Sequence, residues 1–289
     1  MIRITTIMLL SILTVSACNP GTEQTAEFRG PDRSGIFTSS SELLSHWPEN
    51  GPPEVFSIDS IGDGYGSPVI YNQRMYFTGA PDSIAVLYCY DLKGNQVWTI
   101  ELGKEWVTNY PGSRSAPTVK GAYLYTGTGY GDLYCIDVTK QEIVWSHPMK
   151  EDFQGILPLF GHSESPYIFE EKILWTAGGK EYNVLAMNRF TGDVIWSSQG
   201  KKERSGYHPP RVITAPNGRE ILVTFSAYHL MGIDVTTGEL LWTHEQDNYP
   251  VEKRKPGYGD THANTVIYDD GNIYYAAGDG NCGVKLALV

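Results

Sequence analysis

Asp234-Val235-Thr236-Thr237-Gly238-Glu239-Leu240-Leu241-Trp242 is the stretch on which the fold turns. The Asp234 carboxylate can accept hydrogen bonds from the backbone N–H groups just ahead of it, and Gly238 can take the positive φ that closes a hairpin without a Cβ clash. Trp242 then falls on the next strand, where a large flat side chain can fill the wedge between twisted sheets. The phrase returns roughly every fifty residues, as Asp91 to Trp98, Asp137 to Trp145 and Asn188 to Trp196. Before each copy comes an aromatic-rich strand pair opening on a proline, at Pro68, Pro117, Pro166 and Pro210. A fifth copy begins near Asn264 and has no tryptophan. In the first unit, Ser67–Tyr71, Arg74–Thr78, Ala85–Tyr90 and Gln96–Glu101 read as four short antiparallel strands divided by turn residues. A period of this size with four strands per unit predicts an all-β fold, a β-propeller of four-stranded antiparallel blades. Trp98, Trp145, Trp196 and Trp242 are read as structural docking residues.

The bulk numbers fit that reading. The 289 residues suffice to bury a sizeable core. The 31 glycines supply the many tight turns, and the 19 Tyr, 9 Phe and 7 Trp supply flat packing surface. A formal charge of −11, with no basic face in view, argues against nucleic acid as a partner. Residues 1–17 read as a signal peptide: Arg3 gives a basic start, and Ile7 to Val15 is apolar but too short to span a bilayer. Val15-Ser16-Ala17-Cys18 resembles the bacterial lipoprotein cleavage signal, with Val15 where leucine is usual, so Cys18 is the expected lipidation site. Residues 18–50, rich in Pro, Gly, Ser and Glu, read as a lipidated tether and lead-in, and 51–289 as the repeats. Cys89, Cys135 and Cys282 are odd in number; Cys89 and Cys135 occupy matching places in adjacent units, too far apart for a disulfide, and read as small buried hydrophobes.

The pattern Asp-x-x-Thr-Gly-x-x-x-Trp resembles the tryptophan-docking motif of the pyrroloquinoline quinone (PQQ)-like β-propeller superfamily. Two copies keep the Thr-Gly, at Thr191-Gly192 and Thr237-Gly238; the second unit has Lys140-Gln141, and the first is a residue shorter, with Gly94-Asn95. Phe28-Arg29-Gly30-Pro31-Asp32-Arg33-Ser34-Gly35 is similar to the opening phrase of bacterial members, with Phe28 in place of the usual Trp. With the lipoprotein signal, the whole resembles the propeller lipoproteins of the outer-membrane protein assembly machine, which present a face or edge to partners. Relatives often have eight blades. About five are expected here, and the apolar end Leu286-Ala287-Leu288-Val289 reads as an interruption inside a larger ring. Strand counting also permits a five-blade ring sealed by Pro53–Ile58 as a last outer strand, with Phe56 in the tryptophan place.

Register would bring the segments before each innermost strand to one mouth of the central channel. There it would gather Arg114, His162, Glu164, His208, Asp260 and His262, a set able to bind an anion, a divalent cation or a small substrate. The plainer reading, that polar groups at a mouth bond water and neighbouring backbone, is preferred. The superfamily also implies a second possibility, a quinoprotein that holds PQQ over a tryptophan and under adjacent disulfide-bonded cysteines, with Ca²⁺ held by carboxylate and amide side chains. No adjacent cysteine pair occurs in this chain, and Glu164 and Asp260 are carboxylates only by position. Gly127-Thr128-Gly129-Tyr130-Gly131 lies between two strands and reads as a hairpin, not a phosphate loop. The expectation is a non-catalytic, lipid-anchored binding or scaffolding propeller, with no cofactor and with a cell-envelope protein or small ligand as partner. The alternatives are a PQQ- and Ca-dependent alcohol or sugar dehydrogenase, and a small-ligand or metal-binding propeller. Asn19 stands where an aspartate would retain a lipoprotein at the inner membrane, which places the expected location at the periplasmic face of the outer membrane.

Overall fold

A computed structural model describes residues 24–37, 45–246, 249–278 and 283–288; the signal-peptide and Cys18 readings, and Cys282, fall outside them. The Asx turns take the form their sequence implies. Oδ1 accepts from the N–H groups of Thr236 and Thr237 at Asp234, and of Phe190 and Thr191 at Asn188. It accepts from Thr139 and Lys140 at Asp137, and from Lys93 and Asn95 at Asp91. The residue closing each turn has positive φ: 78° at Gly238, 79° at Gly192, 83° at Gly94 and 60° at Gln141. Gln141 therefore holds a backbone conformation that glycine adopts without strain.

These turns join the third and fourth strands of four antiparallel meanders. The first contains β1 (Val69–Tyr71), β2 (Arg74–Gly79), β3 (Ile84–Asp91) and β4 (Gln96–Lys104). The second contains β5 (Thr118–Lys120), β6 (Tyr123–Gly127), β7 (Leu133–Asp137) and β8 (Glu142–His147), with the short α1 (Met149–Phe153) after it. The third is β9 (Tyr167–Phe169), β10 (Lys172–Trp175), β11 (Val184–Asn188) and β12 (Val194–Ser198). The fourth is β13 (Arg211–Thr214), β14 (Glu220–Phe225), β15 (His229–Asp234) and β16 (Leu240–Glu245). The fifth has β17 (Ile267–Asp269), β18 (Asn272–Ala276) and β19 (Gly283–Ala287) among the described residues.

Period-two alternation feeds each inner sheet into two cores. On β11, Leu185 and Met187 join the cluster shared with the second sheet, while Val184 and Ala186 join the one shared with the fourth. On β15, Met231 and Ile233 face the third sheet and Leu230 faces the fifth. The sheets thus stack in sequence as blades. Each docking tryptophan packs in the cluster between its own blade and the next. Trp145 and Trp196 donate their indole N–H to Arg189 O (3.1 Å) and Val235 O (3.0 Å), each the carbonyl just after the next blade's Asx residue. The turn glycine is part of the same contact, since a Cβ on Gly192 or Gly238 would lie 3.0 or 2.7 Å from the ring of Trp145 or Trp196. Cys89 and Cys135 are both free and buried, in different interfaces.

Pro53–Ile58, read from the sequence as an outer strand with Phe56 in the tryptophan place, keeps that placement of Phe56 but is not a strand. It forms no ladder and instead lies over the outer face of the first blade. Ile58 and Ile61 cover Phe77, Val86, Tyr88 and Tyr90 there, and Phe56 rests on Gly94 as Trp145 rests on Gly192. In the fifth sheet, Ala287 pairs with Asn272 at the register position that Asp91, Asp137 and Asn188 hold in the first three sheets.

Candidate functional site

The segments preceding the innermost strands are stitched to one another around the hub. Tyr65 N–H donates to Ser113 O (2.6 Å), Ala116 N–H to Ser165 Oγ (3.0 Å), Ser163 Oγ to Tyr207 O (3.0 Å) and Tyr207 N–H to His262 O (3.1 Å). Within this ring is a cavity of about 330 Å³ that takes lining residues from the inner edge of all five blades. Its walls are aromatic: Tyr65, Tyr110, Phe160 and Tyr207, with Phe28 from the lead-in. The Tyr110, Phe160 and Tyr207 rings stand 5.8 and 5.9 Å apart in sequence, a continuous curved wall.

Arg114 is the cation of this cavity, and no carboxylate is among its lining residues. Its Nε donates to Phe160 O (2.7 Å) and its Nη1 to Gly112 O (3.1 Å), while Nη2 donates to Asn109 O and Tyr110 O. Carbonyls thus hold the guanidinium in place, and the buried Glu105 carboxylate lies within electrostatic range of it. Burial pushes its pKa down from the usual arginine value, as it does for a cation stripped of water. The cavity suits an apolar or aromatic group carrying a hydrogen-bond acceptor or negative charge.

Beneath the cavity the chain's own lead-in fills the axis. Ala26 forms a two-bond bridge with Val119 of β5 (2.9 and 2.8 Å). Arg33, only 1 % exposed, donates from Nη1 to Pro210 O (3.1 Å) and from Nη2 to Pro166 O (2.5 Å). Its Nε pairs with Glu27 at 2.9 Å, and its guanidinium lies 4.8 Å from the centre of the Tyr167 ring. One side chain therefore ties the lead-in to the third and fourth blades. Burial raises the Glu27 pKa despite the opposing Arg33 charge.

Of the six residues expected at the mouth, Arg114 lines the cavity and the other five point into the blades. His162 is fully buried, bonded through Nε2 to Thr176 O (2.9 Å) and packed 4.4 Å from Trp175. His208 and His262 flank Phe225 at 4.7 and 5.1 Å, and His262 Nε2 also meets Ala227 O and Gly259 O. Burial pushes the pKa of His162 down to about 4 and of His208 to about 3, so both imidazoles are neutral at pH 7. Glu164 accepts from Thr176 N–H (2.8 Å), and burial pushes its pKa up to about 7. Asp260 Oδ2 is held by Arg204 Nε (2.8 Å) and Oδ1 by Gly257 N–H (2.9 Å). The wall of Tyr65, Tyr110, Phe160 and Tyr207, and the Glu27–Arg33 plug, are features that register alone did not single out.

These engagements decide whether PQQ with Ca²⁺ would find a site. Glu164 and Asp260 are spent on backbone N–H groups and on Arg204, and no three His, Cys, Asp or Glu side chains converge as a metal-ligand set among the described residues. No carboxylate lines the cavity and the chain has no adjacent cysteines, so the residues present supply no ligand set for the Ca²⁺ that would accompany PQQ.

Blade stacking, indole docking and a hub closed from within define a PQQ-like β-propeller. Residues 83–287 match the family described as "Outer membrane protein assembly factor BamB", and the chain belongs to that family. A quinoprotein ethanol dehydrogenase of Pseudomonas aeruginosa is 23 % identical over an alignment of 158 positions, which covers 50 % of this chain and 24 % of that protein. Among solved structures, a europium-containing methanol dehydrogenase superposes with TM-score 0.51 and 13 % identity over 81 % of this chain and 52 % of its own. BamB from Moraxella catarrhalis gives 0.48 and 16 % over 78 % of this chain and 59 % of its own. The chain thus spans about a quarter of the curated relative and a little over half of these two structures.

Proposed function

We propose that this chain is a cell-envelope lipoprotein, acylated at Cys18 and held at the periplasmic face of the outer membrane, whose propeller is a non-catalytic binding or scaffolding module. The observation that carries the reading is the hub: an aromatic cavity with one cation, floored by the chain's own Phe28 and backed by Glu27–Arg33. A hub filled by protein is suited to presenting a recognition surface, and Glu164, Asp260 and His162 are committed to hydrogen bonds within the fold. The family name supports an envelope protein as the partner. Among the described residues no helix is long and apolar enough to cross a membrane, so attachment in this reading rests on the lipid. The test is a benzophenone amino acid placed at Tyr110 in producing cells. A discrete protein adduct that disappears on adding Arg114→Ala, and that is absent from a probe at exposed Glu239, is expected. No adduct, or the same adduct from both positions, contradicts the reading.

A further inference from the structure

We infer that the lipid anchor leaves the propeller from the face opposite the aromatic cavity, so that the cavity opens away from the membrane. The inference rests on the lipoprotein reading above and deepens it. In every blade the innermost strand starts at the cavity and runs to a turn on the far face, such as Asn72-Gln73 after β1 or Pro216-Asn217-Gly218 after β13. The lead-in runs against that direction, because Ala26 pairs antiparallel with Val119 of β5. Its two ends agree with this polarity. Phe28 lines the cavity together with Ala116 and Gln24 and Thr25 do not, while the groove beside β1 runs along the lead-in from Gln24 to Pro31 and along the blade from Ser67 to Asn72.

The chain therefore arrives from the turn face and climbs the axis towards the cavity. Gln24 is six residue steps from Cys18, which even fully extended reach only about 20 Å. The innermost run from Ser67 at the cavity to Asn72 at the turn is itself six residues, about 20 Å of extended chain. For the cavity to meet the bilayer, the tether would have to cross both that depth and the radius of the disc, which it cannot do. Acylated Cys18 thus holds the turn face within about 20 Å of the membrane and leaves the cavity facing the aqueous compartment, where a soluble segment of a partner can enter it.

The test uses the full acylated chain in phosphatidylethanolamine–phosphatidylglycerol vesicles carrying a headgroup energy acceptor. In a Cys282→Ser background, where Cys89 and Cys135 are buried, a donor is attached through Asn217→Cys on the turn face or Thr108→Cys beside the cavity. Transfer several-fold more efficient from position 217 is expected. Equal or stronger transfer from position 108 overturns the orientation. Labelled palmitate, incorporated by the parent chain and not by Cys18→Ala, tests the anchor separately. A chain that takes no palmitate overturns the lipoprotein reading and the orientation with it, whereas an acylated chain with reversed transfer overturns the orientation alone.

Discussion

Trp196→Ala is expected to lower stability by about 3–5 kcal/mol, the range for truncating a large buried aromatic side chain. Trp196 is 8 % exposed, packs with Leu222, Met231 and Val235 of the fourth blade, and carries an indole N–H bonded to Val235 O. The Ala variant loses that burial and opens a cavity that the facing Gly238 cannot fill. Trp196→Phe keeps much of the packing and loses the hydrogen bond, so a smaller loss of about 1 kcal/mol is expected. Chemical denaturation of the three proteins checks the order. An Ala variant as stable as the parent would remove the docking role from the account.

Arg33→Met is expected to cost a similar amount, about 3–5 kcal/mol, for a different reason. Methionine supplies comparable apolar bulk, so the change tests charge and hydrogen bonding more than volume. It leaves Glu27 buried without its partner and withdraws the donors from Pro166 O and Pro210 O. These carbonyls belong to the third and fourth blades, so the lesion should be felt at the hub and not only in the lead-in. Glu27→Gln in the same background removes the stranded carboxylate and should recover part of the loss. A melting temperature unchanged by Arg33→Met would show that the lead-in does not occupy the axis. Full recovery by Glu27→Gln would show that the carbonyl contacts carry no weight.

The fold was legible because its determinants are local and repeated. An Asx residue, a positive-φ position and a tryptophan at fixed spacing describe one hairpin and one docking contact, and four copies in register describe the blades. Where a copy departs from the pattern, the backbone compensates: Gln141 adopts the positive φ of the glycine it replaces. The segment Pro53–Ile58 shows the limit of strand counting. Its composition reads as a strand, but the apolar face of Phe77, Tyr88 and Tyr90 needs cover, and that burial draws the segment across the first blade.

The hub was harder to read for a physical reason. Register orders the segments around the opening but does not say which way each side chain turns. His162, His208 and His262 sit one or two residues from cavity-lining positions such as Ser163, Tyr207, Pro209 and Ala263, and turn inward to aromatic neighbours instead. Burial there favours the neutral imidazole over the charged one. Tyr65 and Tyr207 had a usable signal, since each stands beside a glycine just before an innermost strand. Arg33 gave none beyond its place in the opening phrase, because its partners Pro166 and Pro210 lie 133 and 177 residues away.

In the proposed reading this hub recognises a partner and does not run quinone chemistry. A titration of PQQ with Ca²⁺ into the purified chain from Asn19, followed by tryptophan fluorescence and by a melt of the same sample, tests it most directly. A cooperative melt with no saturable fluorescence change and no stabilisation is predicted. Micromolar or tighter binding that is lost on chelation would contradict it, and would mean that the Glu164 and Asp260 carboxylates can leave their present partners for a metal.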